Sequence, residues 1–491
     1  MSRHVFFLSF SLVFGVWCLV FGVWCLLKMT ETGVESLLYA FRVFIHIVTR
    51  VSSVLPSAAA DYEYLRVAFG DRLAFSYSFC TFFVRAAGSE AFACITMARY
   101  VYFAVVPNGS HQSDDDIMVE KKAIALGATI AVVALNCFRL SFVSKIMNGL
   151  AMLKMVLVAL LVGVAVIALS RSTDVLETNF EHPFSGVTAG GIGTGMVAVM
   201  WACGGYSHVA FMVEEMRDPA RDLAPSIVSA SIIVTTAYIM CLLSYFAVLT
   251  NEDQMTTSVV ASDAVKGIFG DIGGRIASFF VAISVLGSIF CGVMSTGRFI
   301  FATARDGQFP NFLKTVSPRG GVPYVAVLAY GAWCMVLLSL PGATLSTILM
   351  FVAFIDWWFD TLVTVALIRI RYLLPDAHRP FKMPLYPLPA IVVLVAGIGM
   401  MTATASAHPI PTAASFSFFL LSFPVHYFFI RRPVNRETVG GGESAVVHDN
   451  ENDAADAPER LLRSETSLLI DANHKSVAEN ITYGAAGSSH V

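Results

Sequence analysis

Charge is scarce in this chain. Asp, Glu, Lys and Arg supply 14% of its 491 residues while hydrophobic side chains supply 56%, with a mean hydropathy of +0.70. That much apolar surface exceeds what a soluble interior can hide, which excludes a water-soluble globular fold. Strand-like alternation of apolar and polar residues is missing as well. A membrane β-barrel is therefore excluded, and helices remain as the way to satisfy the backbone in lipid. The nine cysteines all fall in apolar segments, and none is spaced with His or Asp ligands, so they read as small packing residues and not as a metal site. There is no phosphate loop, nucleophile elbow or matched acid, base and nucleophile set. The sequence thus offers no catalytic residue, requires no cofactor and does not read as an enzyme.

What is present is a succession of long apolar runs. A helix needs about 20 such residues to cross a bilayer, and twelve candidate segments stand near 5–27, 33–57, 74–106, 123–142, 147–170, 190–213, 225–250, 273–303, 322–340, 344–371, 385–406 and 412–430. The segment at 33–57, interrupted by Arg42, His46 and Arg50, is the weakest of them. Lys and Arg gather in alternate loops, at Arg139 and Lys145, Arg217 and Arg221, Arg305 to Arg319, Arg369 to Lys382, and Arg431 and Arg432. Basic loops stay on the cytosolic side, so both chain ends are expected there. The opposite loops, "NGSHQSDDDIMVE" and "NEDQMTTSVVASDAV", are polar or acidic, and Asn108 in the first is a glycosylation sequon. The expected location is a membrane crossed many times, the plasma membrane in particular.

Composition also divides the chain. Residues 1–55 hold divergent N-terminal membrane segments, among them LVFGVWC at 12–18 repeated unchanged at 19–25. Residues 433–491 turn polar and acidic, with "HDNENDAADAPER" and few aromatics, and read as a disordered cytosolic tail.

The most informative stretch is "GMVAVMWACGGYSHVAFMVEEMRDPARDLAPSI" at 195–227. Its Gly204-Gly205 pair interrupts an apolar run near the middle. In lipid an unpaired backbone group costs several kcal/mol, so a helix broken at that depth survives where it lines a cavity. Freed amides suit a carboxylate and freed carbonyls an ammonium, which together describe an α-amino acid. The plain alternative is glycine used for helix packing.

This stretch resembles the sixth-helix signature of the amino acid, polyamine and organocation transporters, in particular their L-type amino acid transporter branch. "DYEYLRVAFGD", "FVRAA", "GRFIFATARDGQFPNFL" and "RPFKMPLYP" are similar to further family motifs in family order, and the resemblance covers a core at residues 56–432. It implies an all-α membrane protein of about twelve transmembrane helices, built as a LeuT-type inverted repeat of five and five helices with two extra ones. By the same resemblance Trp201 is the aromatic gate over the substrate. Ala202, Cys203, Gly204 and Gly205 form the unwound turn that meets it, with Ser207 just beyond. Glu214, Glu215, Arg221 and Arg305 gate the cytosolic side. The Gly-Ser-Gly-Ile-Phe motif of the family's first helix is absent from residues 1–55, so the first helix is expected to be atypical.

Ionisable residues inside apolar segments are functional candidates by default. Lys154, in "MLKMVLVAL", matches a Lys that takes the place of a structural sodium in sodium-independent relatives; snorkelling to the cytosolic face is the alternative. Arg85 and Glu90 are five apart, a poor intrahelical pair, so each is expected to meet a partner on another helix. Asp356 and Asp360 lie four apart on one helix face, where two carboxylates repel unless a cation or proton intervenes. Asp356 also matches an Asn that faces the substrate side chain in neutral amino acid carriers, which leans substrate choice toward a second positive charge. Proton handling and a structural link to Lys154 or Arg85 are the alternatives for the pair.

These readings converge on a secondary carrier of amino acids working by alternating access, with a small-molecule substrate and the bilayer as its partners. No nucleic acid and no disulfide-linked heavy chain are expected. A polyamine carrier of the same superfamily and a non-transporting sensor or degenerate homologue are the alternatives.

Overall fold

The computed structural model describes residues 61–106, 118–138, 140–181, 208, 211, 219–257, 259–317, 321–340, 345–373, 375 and 386–430. Among them the chain forms helices and no strand. The predicted segments at 5–27 and 33–57, and all but His208 and Phe211 of that at 190–213, lie outside the described residues.

The elements run α1 (Asp61–Phe69), α2 (Asp71–Cys80), a π turn at Thr81–Arg85, and α3 (Ala86–Val105). The last three form one continuous rod across the predicted 74–106 segment. Next come α4 (Met118–Asn136), α5 (Leu140–Arg171), α6 (Asp174–Glu181), α7 (Pro219–Val248), α8 (Asn251–Thr256) and α9 (Val260–Arg305). The series ends with α10 (Tyr324–Ser339), α11 (Leu345–Leu373), α12 (Leu388–Ala407) and α13 (Pro409–Val425), the last running into a second π turn. Among the described residues, five spans are long and apolar enough to cross a membrane: Lys145–Arg171, Pro225–Val248, Val260–Arg305, Ile348–Leu373 and Ala390–Ala407. Tyr324–Ser339 is a shorter apolar helix.

Two predicted boundaries are corrected. The segment taken to 142 ends at Asn136, where the amides of Cys137 and Phe138 bond three residues back to Ala134 and Leu135, the tightened last turn of a helix that stops. The stretch at 251–265, expected to be an external loop, holds the short helix α8 and the start of α9. Thr250 and Asp253 cap each other's backbone to start α8, and α9 begins at Val260. Within α9 the chain departs from helical geometry at Gly270, whose φ of 72° is open to glycine. An external segment and a long membrane helix thus follow one another without an intervening loop.

The core is set by α3, which lies along α9 and is flanked by α4, α10 and α11. Position in this arrangement follows what each helix exposes. The most apolar window of α11 is 56% buried, so it is wrapped by neighbours, whereas that of α7 is 6% buried and faces outward. Met152, Val156 and Val166 on α5 are likewise exposed, as lipid contact requires.

Candidate functional site

The π turn at Thr81–Arg85 places the first charged group. The amide of Ala86 donates to the Thr81 carbonyl and closes the wide turn. The widened turn carries Arg85 into the core. Its Nε donates to Asp356 Oδ1 at 2.5 Å, and its Nη2 stands 3.6 Å from Asp360 Oδ1. Asp356 and Asp360 do share one face of α11, and the cation between them belongs to the protein. The guanidinium also lies over the rings of Tyr77 and Phe359, 5.2 and 5.9 Å from their centroids. One guanidinium against two carboxylates leaves one formal negative charge. That balance stabilises a pair of acids that would otherwise repel, in a region where water does not screen them.

Aromatic contacts carry this cluster toward Phe211. Tyr77 packs edge-on against Phe299 of α9, which meets Phe211 at 4.8 Å. His208, four residues past Gly204, shares a hydrogen bond of 2.6 Å between its Nδ1 and Ser295 Oγ. At the other end of Tyr77, its hydroxyl donates to Asp61 Oδ2 at 3.0 Å and ties α2 to α1.

Lys154 does not reach the carboxylates. Its Nζ donates to Ser288 Oγ on α9 at 2.5 Å, so it bridges α5 and α9. Arg305 ends α9 with its guanidinium 5.6 Å from the Phe301 ring. Glu90 is not Arg85's partner; it is buried at the α3 to α9 contact, against Gly292. Trp201, Ala202, Cys203, Gly204, Gly205, Ser207, Glu214 and Glu215 lie outside the described residues, and Arg221 falls within α7. The structure therefore brings Arg85, Asp356 and Asp360 together and sets Lys154 apart from them.

Sequence reasoning missed His208, Ser288, Tyr77 and Phe359. His208 had a signal, being an ionisable residue inside an apolar segment beside the Gly pair. Ser288 and the two rings had none, because a serine or an aromatic in a membrane helix is ordinary until its neighbour is known.

Membrane-length helices and a core of helix-on-helix contacts, with an arginine held between two aspartates inside it, describe a multi-pass integral membrane protein. The chain belongs to the amino acid permease family, whose profile, "Amino acid permease", matches residues 3–429. That match begins within the N-terminal segments which the motif resemblance, at 56–432, left aside. The chain is 27% identical over 351 residues to the b(0,+)-type amino acid transporter 1 of Mus musculus, covering 70% of this chain and 69% of that one. It is 25% identical over 405 residues to the cystine/glutamate transporter of Homo sapiens, covering 82% and 77%. The large neutral amino acids transporter small subunit 2 of Rattus norvegicus is 22% identical over 407 residues, covering 81% and 71%.

Proposed function

We propose that this chain is a secondary carrier of amino acids that works by alternating access, without covalent chemistry, at the plasma membrane. The observation that carries the reading is the family match across residues 3–429. The intramembrane charges add to it, because isolated charges are costly in lipid and survive there when they are paired or line a pathway. On this reading Trp201, Ala202, Cys203, Gly204, Gly205 and Ser207 surround the substrate. Lys154 takes the place of a sodium ion, and Glu214, Glu215, Arg221 and Arg305 close the cytosolic side.

Substrate choice follows from Arg85. A lone Asp356 would attract a cationic side chain strongly; paired with Arg85 it does so less, and the residual charge of the cluster is shared with Asp360. Neutral and cationic amino acids both suit that balance. On this reading the core works without a disulfide-linked partner.

The test is uptake and counterflow by the purified protein in proteoliposomes, against a panel of labelled amino acids with putrescine included. Counterflow of at least one amino acid is expected. Binding without flux would identify a sensor instead, and flux of putrescine alone a polyamine carrier.

A further inference from the structure

Glu90 is a buried acid of the core that the charge cluster does not use. It is 6% exposed, and its Oε2 is pressed against Gly292 of α9 so closely that any Cβ there would collide with it. Two fully buried hydroxyls come to the same place from other helices, Tyr330 from α10 and Thr296 from α9, one turn beyond Gly292. Among the described residues, Glu90 Oε1, Tyr330 Oη and Thr296 Oγ1 each lack a hydrogen bond of full geometry. Among the described residues, three polar atoms from three helices thus come together with only loose contacts to one another. Buried polar atoms are rarely left so, and each such group asks for an explanation.

The surroundings narrow the explanation. On α3 itself, Arg85 is committed to Asp356, and Cys94 meets Thr129 of α4 at 3.3 Å. From α9 the nearby groups are Cys291 and Thr296, and from α10 Tyr330 and Cys334. From α11, Val352 covers Gly88, while Asp356 and Asp360 turn to Arg85. Lys154 lies beyond Cys291 and is bound to Ser288. No cationic side chain of the described residues compensates Glu90. A calcium ion would want six or more oxygen ligands, and no cluster of metal-ligating side chains occurs among the described residues. A neutral carboxyl, which both donates and accepts, matches two hydroxyls that do the same.

We propose that Glu90 binds a proton in this closed core and that transport is coupled to the binding and release of that proton. The coupling rests on the carrier reading; the protonation does not. The carboxylate takes a proton when the site opens outward and returns to the ionised form when it opens inward, so one proton crosses with the substrate. With a zwitterionic amino acid, one positive charge crosses per cycle.

Infrared spectra of the purified full chain in lipid test the protonation. A carboxylic acid C=O band is expected at neutral pH in the wild type and should vanish in Glu90→Gln; identical carboxyl bands in the two would overturn the proposal whether or not the chain transports. In proteoliposomes an inward proton gradient should raise amino acid uptake several-fold in the wild type. Glu90→Gln should lose that response while keeping counterflow at equal pH. An equal response in both proteins, none included, overturns the coupling, whereas absence of counterflow in the wild type strikes the carrier reading alone. Should Glu90→Gln fail to fold, Tyr330→Phe and Thr296→Val each remove one hydroxyl facing the acid and should shift the frequency of its C=O band. No shift with either overturns the proposal.

Discussion

Arg85 and Asp356 are 271 positions apart in the chain and meet with Nε 2.5 Å from Oδ1, linking the rod of α2 and α3 to α11. Removing Arg85 leaves two facing carboxylates without that cation, at a cost of about 3–5 kcal/mol for buried pairs, whereas removing Asp356 forfeits its hydrogen bond but leaves Arg85 3.6 Å from Asp360. Asp356→Asn should therefore lower thermal stability in detergent, and Arg85→Met should do the same. The double variant should lose less than the sum of the two, which a double-mutant cycle reads directly. In uptake assays Asp356→Asn should also lower the ratio of lysine to leucine transport; an unchanged ratio would confine Asp356 to a structural role.

Lys154 and Ser288 join α5 to α9 through one hydrogen bond. If Lys154 takes the place of a sodium ion, as proposed, its ammonium repels that ion, and initial uptake rates should be the same in sodium and in choline. Lys154→Met should reduce uptake by about tenfold or more, since a charged hydrogen bond between two helices is worth roughly 1.5–3 kcal/mol. A steep sodium dependence in the wild type would refute the assignment.

Gly331 and Gly399 make a paired test of packing. A Cβ at Gly331 would run into the branched side chain of Val133 on α4, whereas a Cβ at Gly399 meets nothing within 4 Å. Gly331→Ala should destabilise by about 1–3 kcal/mol, the usual cost of overfilling a core. Gly399→Ala, on a helix surface, should be neutral or stabilising by up to roughly 1 kcal/mol. Melting temperatures in one detergent compare the two.

Gly204 and Gly205 test the broken helix. Replacing either with Val adds a branched side chain where the substrate's backbone is proposed to approach, and uptake should be lost while the protein still reaches the membrane. Ligand-induced thermal stabilisation should vanish with it. Normal uptake by either variant would place the substrate elsewhere.

Much of the fold was legible because membrane insertion is decided by local composition. A run such as 147–170 or 225–250 becomes a helix for reasons contained in its own residues, the need to bury apolar side chains and satisfy every amide within the segment. The helices Leu140–Arg171 and Pro219–Val248 stand where those runs predict them. Helix ends were less legible: the stop at Asn136 and the start at Asn251 depend on single hydrogen bonds and caps that hydropathy does not register.

The candidate site divides in the same way. That Arg85, Glu90, Lys154, Asp356 and Asp360 matter could be read from their charge in apolar surroundings, and the spacing of four put both aspartates on one face. Partnership could not be read, because a contact across 271 residues depends on how helices pack and on how a π turn rotates a side chain. Lys154 stood as open a candidate for the aspartates as Arg85 did, yet the geometry of α5 against α9 delivers it to Ser288. Glu90 shows the limit most clearly. Its charge was evident from the sequence, but only the close approach of α3 to α9 at Gly292, with Tyr330 brought over by α10, makes it a buried acid with no cation beside it among the described residues.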